Sequence, residues 1–179
     1  MSTIAIVDYG MSNLSSVLKA VEYVAPNEKV IISSDSKEID NADKIIFPGQ
    51  GAAKKCMNSI FDKNLDKVIT KISKEKPFLG ICMGMQVLMD YSEENNGTEC
   101  LGLIKGKVKK FQSTRKNQIK IPHMGWNKIS KKNEHPIWNK IDNDSYFYFV
   151  HSYFIEPEDK TNVIGQTNYG EKFCSVIAK

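Results

Sequence analysis

The residues best suited to nucleophilic chemistry lie in the segment Gly80-Ile81-Cys82-Met83-Gly84. This segment follows a short apolar run, and a glycine two residues to each side of the central residue is typical of a sharp turn from a strand into a helix. Side chains at the glycine positions would collide with that strained turn. We predict that Cys82 is a nucleophile, that the helix N-terminus lowers the pKa of its thiol, and that the Met83 backbone N–H faces a developing oxyanion. The alternative is a buried structural cysteine.

Two further features are candidates for contacts with a substrate. The segment Pro48-Gly49-Gln50-Gly51 also follows a predicted strand, and ligands of open α/β sheets bind at that edge. Its glycines let backbone N–H groups approach a ligand, which makes the segment a candidate second oxyanion donor, with an ordinary turn as the alternative. Gln86 lies one helical turn after Cys82, and its amide is suited to orient a substrate unless it only covers an exposed helix surface.

A thiol nucleophile needs a base, and the sequence offers three histidines. His123 and His151 lie in aromatic-rich segments, whereas His135 precedes Pro136 in a polar stretch and is expected to be inert. None of the three is followed two residues later by a carboxylate that would orient a catalytic imidazole. The residues alone therefore leave the activation of Cys82 unassigned.

Alternating strands and helices are predicted to position these residues. Apolar runs that end in polar residues or glycine predict buried strands, and apolar spacings of three and four residues predict helices. The predicted strands are Ile4–Val7, Lys29–Ile32, Lys44–Phe47 and Phe78–Ile81, and the predicted helices are Leu14–Val24, capped by Asn13 or Ser12, Ala52–Phe61, Leu65–Ser73 and Met83–Tyr91. This order predicts a doubly wound α/β fold with a mostly parallel sheet and helices on both faces.

After Ser92 the pattern changes to short β-like runs. They cover Val108–Phe111, Ile119–Ile121, Tyr146–Val150, Val163–Thr167 and Phe173–Ala178. We expect these runs to form a mixed or antiparallel extension of the same sheet, so that residues 1–179 make a single domain. The segments 122–127 and 146–154 are rich in aromatic residues, which favours sheet core, although Trp126 beside Gly125 is equally suited to anchor a partner.

Composition excludes several classes of protein. The 179 residues carry 25 basic and 21 acidic side chains, and this net charge of +4 is too balanced to indicate nucleic-acid binding. The N-terminus lacks a secretory signal and no run reaches the apolar length of a membrane helix, which makes the cytosol the default location. Four cysteines without a C-x-x-C pair indicate neither a disulfide scaffold nor a zinc site, and we expect no metal and no cofactor.

Taken together, the motifs resemble the glutaminase subunit of imidazole glycerol phosphate synthase, a class I, triad-type glutamine amidotransferase of histidine biosynthesis. The matching segments follow the family's order from Ile4 nearly to Lys179: Ile6–Leu14, Pro48–Ala52, Lys76–Gln86, Pro122–Asn127, Tyr146–Tyr153 and Asn168–Gly170 with Phe173. Each single motif is shared with other amidotransferases, whereas the whole set, and the Trp126 segment above all, resembles this subunit.

The resemblance implies a chemistry for the site. Cys82 would attack the side-chain amide of glutamine, release ammonia and leave a γ-glutamyl thioester that water hydrolyses to glutamate. The Met83 N–H and the loop Gly49-Gln50-Gly51 would form the oxyanion hole. Gln86 and the backbone of Ser152-Tyr153 would hold the glutamine.

The resemblance also implies a partner. Ammonia would pass through the (β/α)8 barrel of a separate cyclase subunit, in a heterodimer, to a ribulosyl-phosphate substrate. Asn13 and Trp126 match segments expected at that interface. Ser12 stands where the family usually has glycine, in a loop expected to face the cyclase.

One departure from the family concerns the catalytic base. The family's His and Glu lie in an H-x-E segment beyond the strand that matches Phe173–Ala178, and the sequence ends at Lys179 before that segment. We expect either a truncated copy of a longer chain or a molecule that lacks the glutaminase step, and His151 is not expected to replace the missing histidine. As written, the 179-residue chain is predicted to show no glutaminase activity.

Three alternatives stay open at this point. A paralogous amidotransferase that feeds amidino-sugar synthesis for surface polysaccharide would share nearly all of these motifs. A truncated, catalytically silent chain could bind the cyclase without making ammonia. A cysteine hydrolase of the same fold is the third, and Gln86 and the Trp126 segment argue against it.

Overall fold

The chain alternates strands and helices in its first half and consists mainly of strands in its second half. The computed structural model describes residues 1–115 and 118–179. Its α-helices are α1 (Leu14–Val24), α2 (Ser36–Asn41), α3 (Ala53–Asp62), α4 (Asp66–Glu75) and α5 (Met83–Gln86). Its strands are β1 (Thr3–Val7), β2 (Lys29–Ser33), β3 (Lys44–Gly49), β4 (Phe78–Cys82), β5 (Tyr91–Ser92), β6 (Thr98–Glu99), β7 (Gly106–Lys110), β8 (His123–Lys131), β9 (Ser145–His151), β10 (Tyr153–Pro157), β11 (Val163–Tyr169) and β12 (Glu171–Ile177). Three single 3-10 turns cover Glu94–Asn96, Pro136–Trp138 and Lys160–Asn162.

The first four strands form a parallel sheet in the order β2-β1-β3-β4. Strand β1 pairs with β2 on one side and with β3 on the other, so the connections diverge between β1 and β3. Such a switch point leaves a crevice at the carboxyl ends of the strands, where ligands of open α/β sheets bind. Gly49 and Cys82 pair in register at that end of β3 and β4, which brings the two candidate loops together.

Helices cover both faces of this sheet, as the sequence predicts. Helix α1 begins after Asn13, whose side chain accepts a hydrogen bond from the Ser16 N–H at 3.4 Å, and it buries Val21 against one face of β1. The other face of β1 joins a larger core to which α3 and α4 contribute Cys56, Met57, Ile60, Val68, Ile69 and Ile72. The alternation follows from the two-residue period of a strand, which sends successive side chains to opposite faces.

The later strands form an eight-stranded sheet in the order β6-β5-β7-β10-β12-β11-β8-β9. All of its pairings are antiparallel except that between β5 and β7. The predicted antiparallel second half is therefore present, but its strands bond to one another in a second sheet instead of lengthening the first. One core cluster holds Phe47 of the first sheet together with Val108 and Ile155 of the second.

Three local predictions were incomplete or wrong. The helix after Cys82 was predicted to reach Tyr91 but ends at Gln86, because N–H groups of residues 101–103 take the carbonyls of residues 87–89 that would continue it. The predicted strand Ile119–Ile121 is absent, and side chains take its backbone groups: the Ile119 N–H donates to the Ser113 hydroxyl, and the Lys120 carbonyl oxygen accepts the Tyr169 hydroxyl. Helix α2 and strands β5, β6, β8 and β10 were not predicted as elements.

No helix in the described part of the chain is both long and apolar enough to cross a membrane.

Candidate active site

Cys82 lies at the predicted nucleophile elbow. Its φ of 56° and ψ of −115° place a non-glycine residue in the sparsely populated region of positive φ, a conformation that the surrounding packing must hold. The two flanking glycines are required by that packing. A Cβ at Gly80 would lie 2.7 Å from the Gly84 carbonyl oxygen, and one at Gly84 would overlap the carbonyl oxygen of Phe47. The predicted G-x-C-x-G elbow is confirmed.

The thiol of Cys82 has a raised pKa, contrary to the prediction. Desolvation by the surrounding protein is the largest cause, the Met83 N–H opposes it by donating to the sulfur, and the negative charge of Glu94 adds to it. Helix α5 spans four residues, so its dipole is too short to overcome the desolvation. The thiol form therefore predominates in this state, and the sulfur must lose its proton as it attacks.

The loop after β3 lies beside Cys82 and is held from three directions. The Gln50 N–H donates to the Met11 carbonyl oxygen at 2.8 Å. The Ser12 hydroxyl donates to the Pro48 carbonyl oxygen at 3.0 Å, and the Cys56 thiol lies 3.5 Å from the carbonyl oxygen of Gln50. The Gln50 N–H, one of the backbone groups predicted to line an oxyanion hole with Met83, Gly49 and Gly51, thus has another acceptor in this structure.

A pocket of about 370 Å³ opens at Cys82. Its lining contains most of the predicted site residues: Gln50, Gly51, Cys82, Met83, Gln86, Ser152 and Tyr153, joined by Glu94, Pro122, Val150 and His151. Gly49, also predicted as a site residue, does not line the pocket; a Cβ there would overlap the Tyr9 hydroxyl. The volume suits a ligand the size of an amino acid.

Gln86 and Glu94 give the pocket its polar groups. Gln86 is 6% exposed, so the alternative of an ordinary exposed helix surface is wrong. Glu94 was not predicted, because it comes from a single 3-10 turn in an acidic stretch that carries no motif. One of its carboxylate oxygens accepts the Ala53 N–H at 2.7 Å, which ties it to the start of α3. The result is a fixed negative charge at the wall of the pocket.

Of the four cysteines, Cys82 alone lines this pocket. Cys56 lies close to the site but is fully buried behind the Gln50 loop, where burial raises the pKa of its thiol. Cys174 is buried in β12, and burial raises the pKa of the Cys100 thiol to about 11. Cys82 is thus the cysteine that is both exposed and part of the pocket lining.

His151 lines the pocket, but neither of its ring nitrogens is free. Nδ1 lies 2.8 Å from the Tyr153 carbonyl oxygen, and Nε2 lies 2.9 Å from Nδ1 of His123. His135 is exposed, and its Nδ1 accepts the Ile137 N–H at 3.2 Å in the turn it begins. Both findings agree with the expectation that neither residue acts as the base.

An exposed apolar surface covers the outer face of the β8–β9 pair. Trp126 is 69% exposed, and its ring meets that of Tyr148 edge to face at 5.6 Å. Met124, Tyr146 and Val150 of the same face are also exposed. Trp126 therefore does not belong to a sheet core, which was one of the two interpretations of this segment. We call the five exposed residues Met124, Trp126, Tyr146, Tyr148 and Val150 the aromatic face. Asn13 is exposed at the start of α1, outside the pocket lining.

Comparisons with known proteins agree with this architecture. Residues 5–179 match the model of the family described as glutamine amidotransferase class-I. An imidazole glycerol phosphate synthase subunit HisH from Hydrogenovibrio crunogenus is 49% identical over 98% of this chain and 83% of its own length. The protein of the same name from Nitrosococcus oceani is 44% identical over 100% of this chain and 85% of its own length.

Solved structures share the fold at lower identity. A glutamine amidotransferase from Thermotoga maritima has a TM-score of 0.57 and 13% identity, covering 95% of this chain and 72% of its own. The structure of PurLQS from the same organism has a TM-score of 0.60 and 18% identity, covering 96% of this chain and 78% of its own.

Proposed function

Because this chain belongs to the class I glutamine amidotransferase family, we propose that it is the glutaminase subunit of an imidazole glycerol phosphate synthase and supplies ammonia for histidine biosynthesis. The observation that carries this proposal is an exposed cysteine at a strained elbow, in a pocket of amino-acid size, in a chain 49% identical to a subunit of that name. The similar proteins favour this pathway over the amidino-sugar alternative.

The reaction begins at Cys82. Its sulfur attacks the side-chain amide carbon of glutamine and loses its proton, and the amide nitrogen leaves as ammonia once it has gained one. The γ-glutamyl thioester that remains is cleaved by water, which yields glutamate and restores the thiol. His151 does not take the thiol proton, because both of its ring nitrogens are engaged. Over the whole acyl transfer, the proton that the thiol loses is the one that the leaving nitrogen gains.

The oxygen of the substrate amide gains charge as the sulfur attacks, and two backbone N–H groups beside Cys82 are suited to bind it. The Met83 N–H already lies beside the sulfur. The Gln50 N–H has to leave the Met11 carbonyl oxygen, to which it donates at 2.8 Å. The oxyanion hole is therefore completed when the loop turns at Gln50.

The pocket offers a matching group for each end of glutamine. We assign the Glu94 carboxylate to the α-ammonium group, since a fixed negative charge at the pocket wall suits a cation. The buried Gln86 amide and the backbone of Ser152-Tyr153 supply neutral donors and acceptors elsewhere in the lining. This arrangement favours an α-amino acid over an uncharged amide.

The aromatic face is the proposed contact with the cyclase subunit, a (β/α)8 barrel. A cluster of exposed aromatic side chains with Trp126 at its centre is typical of a protein interface. Asn13 is the second proposed contact. The shared core of the two sheets supports a single amidotransferase domain over residues 1–179, and a biosynthetic role of this kind fits the cytoplasm.

The test uses the protein together with the cyclase subunit. A chloroketone analogue of glutamine is expected to alkylate Cys82, and glutamine is expected to slow that labelling. Cys82→Ser is the matched control, since it keeps the shape of the elbow and removes the sulfur. Labelling that maps to Cys100, or that glutamine does not slow, would contradict the proposal.

A further inference from the structure

Two histidines beside the pocket form a direct pair that the proposed reaction does not use. His123 and His151 face each other across the β8–β9 ladder, with Nδ1 of the first 2.9 Å from Nε2 of the second. His123 is 2% exposed and lies behind the pocket, whereas His151 lines it. The pair thus connects the interior of the second sheet to the wall of the site.

The hydrogen bonds around the pair fix where each proton lies. A carbonyl oxygen only accepts, so the 2.8 Å contact of His151 Nδ1 with the Tyr153 oxygen places a proton on Nδ1. Nε2 of a neutral His151 is then an acceptor, and His123 Nδ1 must donate to it. Nε2 of His123 is left as an acceptor for the amide nitrogen of Asn127, 3.2 Å away.

The hydrogen bonds of Asn127, at the other end of this series, fix the same donor and acceptor roles independently. The Asn127 amide oxygen accepts the Lys128 N–H at 2.8 Å, which turns the amide nitrogen toward His123 and toward the carbonyl oxygen of Asn168, 3.0 Å away. Every group in the series from Asn127 to Tyr153 therefore has one consistent role. A change of tautomer at either histidine would leave two donors or two acceptors facing each other.

The surroundings keep both rings neutral and in place. The His123 ring stacks between those of Tyr169 and Phe149, with centroid distances of 3.9 Å and 4.8 Å. Phe111 and Phe173 meet the pair mostly edge-on. This burial, together with the neighbouring His151, lowers the pKa of His123 to about 4, and burial also lowers the pKa of His151.

We propose that His123 is a positioning residue that acts through His151 to hold the Ser152-Tyr153 wall of the pocket in place for the amino-acid substrate. The inference rests on the proposed function, since that wall is assigned to glutamine. His123 donates to His151, and this bond directs the other nitrogen of His151 at the Tyr153 carbonyl oxygen. Without the donor, Nε2 of His151 has no partner on the buried side and the ring can turn toward the water of the pocket.

Two variants separate the hydrogen bond from packing. His123→Phe keeps a ring for the stack between Tyr169 and Phe149 but removes the donor. His123→Asn loses the ring but keeps an N–H group close to the position of Nδ1. A positioning role predicts that the Phe variant is the more impaired of the two in substrate binding, whereas a purely structural role predicts the opposite order.

Substrate binding is measured in the complex with the cyclase as the glutamine concentration that halves the rate of Cys82 alkylation by iodoacetamide. The loss of one buried hydrogen bond predicts that this concentration rises about tenfold in His123→Phe, and His123→Asn is expected to recover most of the loss. A parent protein that glutamine does not protect contradicts the proposed function. Protection of the parent that His123→Phe leaves unchanged contradicts the positioning role alone.

The tautomers give a readout that does not depend on glutamine. In nitrogen-15 spectra at neutral pH, both rings are expected to be neutral with the proton on Nδ1. In His123→Phe, the Nε2 signal of His151 is expected to move toward that of an imidazole in water. An Nε2–H tautomer or an imidazolium at either position in the parent would overturn the proposed network.

Discussion

Gly84 packs directly against the carbonyl oxygen of Phe47, so α5 and β3 approach each other with no space for a side chain between them. This contact lies two residues beyond Cys82 and holds the elbow against the sheet. The left-handed backbone of Cys82 persists because close packing on either side of it leaves the chain no other path.

Replacing Gly84 with valine is expected to destabilise the protein by about 3 kcal/mol, because the added side chain must displace backbone atoms of β3. Urea unfolding measures the change. Gly125→Ala is the control, since nothing lies within 4 Å of a Cβ there and only the positive φ of 138° opposes it, at about 1–2 kcal/mol. Equal free energies of unfolding for Gly84→Val and the parent would contradict the elbow packing.

The Cys82 thiol is expected to react slowly at neutral pH, with its alkylation rate still rising above the ordinary pKa of a thiol. Desolvation is the main cause of the raised pKa, the Met83 hydrogen bond opposes it, and the charge of Glu94 contributes a smaller increase. Since a neighbouring anion disfavours the thiolate, Glu94→Gln is expected to lower the pKa of Cys82 while its amide oxygen can still accept the Ala53 N–H.

Peptide mapping of iodoacetamide labelling across a pH series measures this shift. Glu99→Gln is a matched control, because Glu99 acts on the pKa of Cys100 and is not among the causes of the Cys82 shift. A Cys82 titration that moves upward in Glu94→Gln, or that moves equally in both variants, is incompatible with the assignment of Glu94 to the pocket wall.

Trp126→Ala is expected to weaken binding of the cyclase subunit by about 2 kcal/mol or more, as truncation of a central interface tryptophan does. Isothermal titration with the purified cyclase measures the affinity. Tyr23→Ala provides the comparison, because Tyr23 is 88% exposed on α1, away from the aromatic face. If the two variants bind equally well, Trp126 does not belong to the interface.

Sequence patterns predicted most of the first sheet because local signals and tertiary packing agree there. Helix α1 has the predicted bounds, and the loops after β3 and β4 meet because parallel strands place their carboxyl ends at one edge. The sequence pattern predicted the wrong helix end where backbone groups distant in sequence form the deciding hydrogen bonds. Helix α5 stops at Gln86 because N–H groups from residues 101–103 bind the carbonyls that follow it.

The candidate site shows the same division. Cys82, Gln86 and Ser152-Tyr153 were found from motifs, and the structure places them in one pocket. Glu94 had no motif to mark it, and the tautomers of the histidine pair depend on Asn127 and Asn168, which only the folded sheet brings together. The thiol pKa was predicted in the wrong direction because desolvation depends on packing that a helix-dipole argument leaves out.

The Gln50 amide gives the most direct test of how the oxyanion hole forms. Its N–H donates to the Met11 carbonyl oxygen at 2.8 Å, so its proton is expected to exchange slowly with solvent. Alkylation of Cys82 by a chloroketone analogue of glutamine places a carbonyl oxygen where the substrate oxygen would lie. If Gln50 is an oxyanion donor, its N–H leaves Met11 for that oxygen, and the amide proton and nitrogen resonances are expected to shift strongly.

The Ile69 amide, bonded to the Leu65 carbonyl oxygen inside the core, is the internal control and is expected to stay unchanged. A Gln50 resonance and exchange rate that are the same before and after alkylation would show that the hole is completed by another donor, and the Met11 bond would then be a permanent part of the loop.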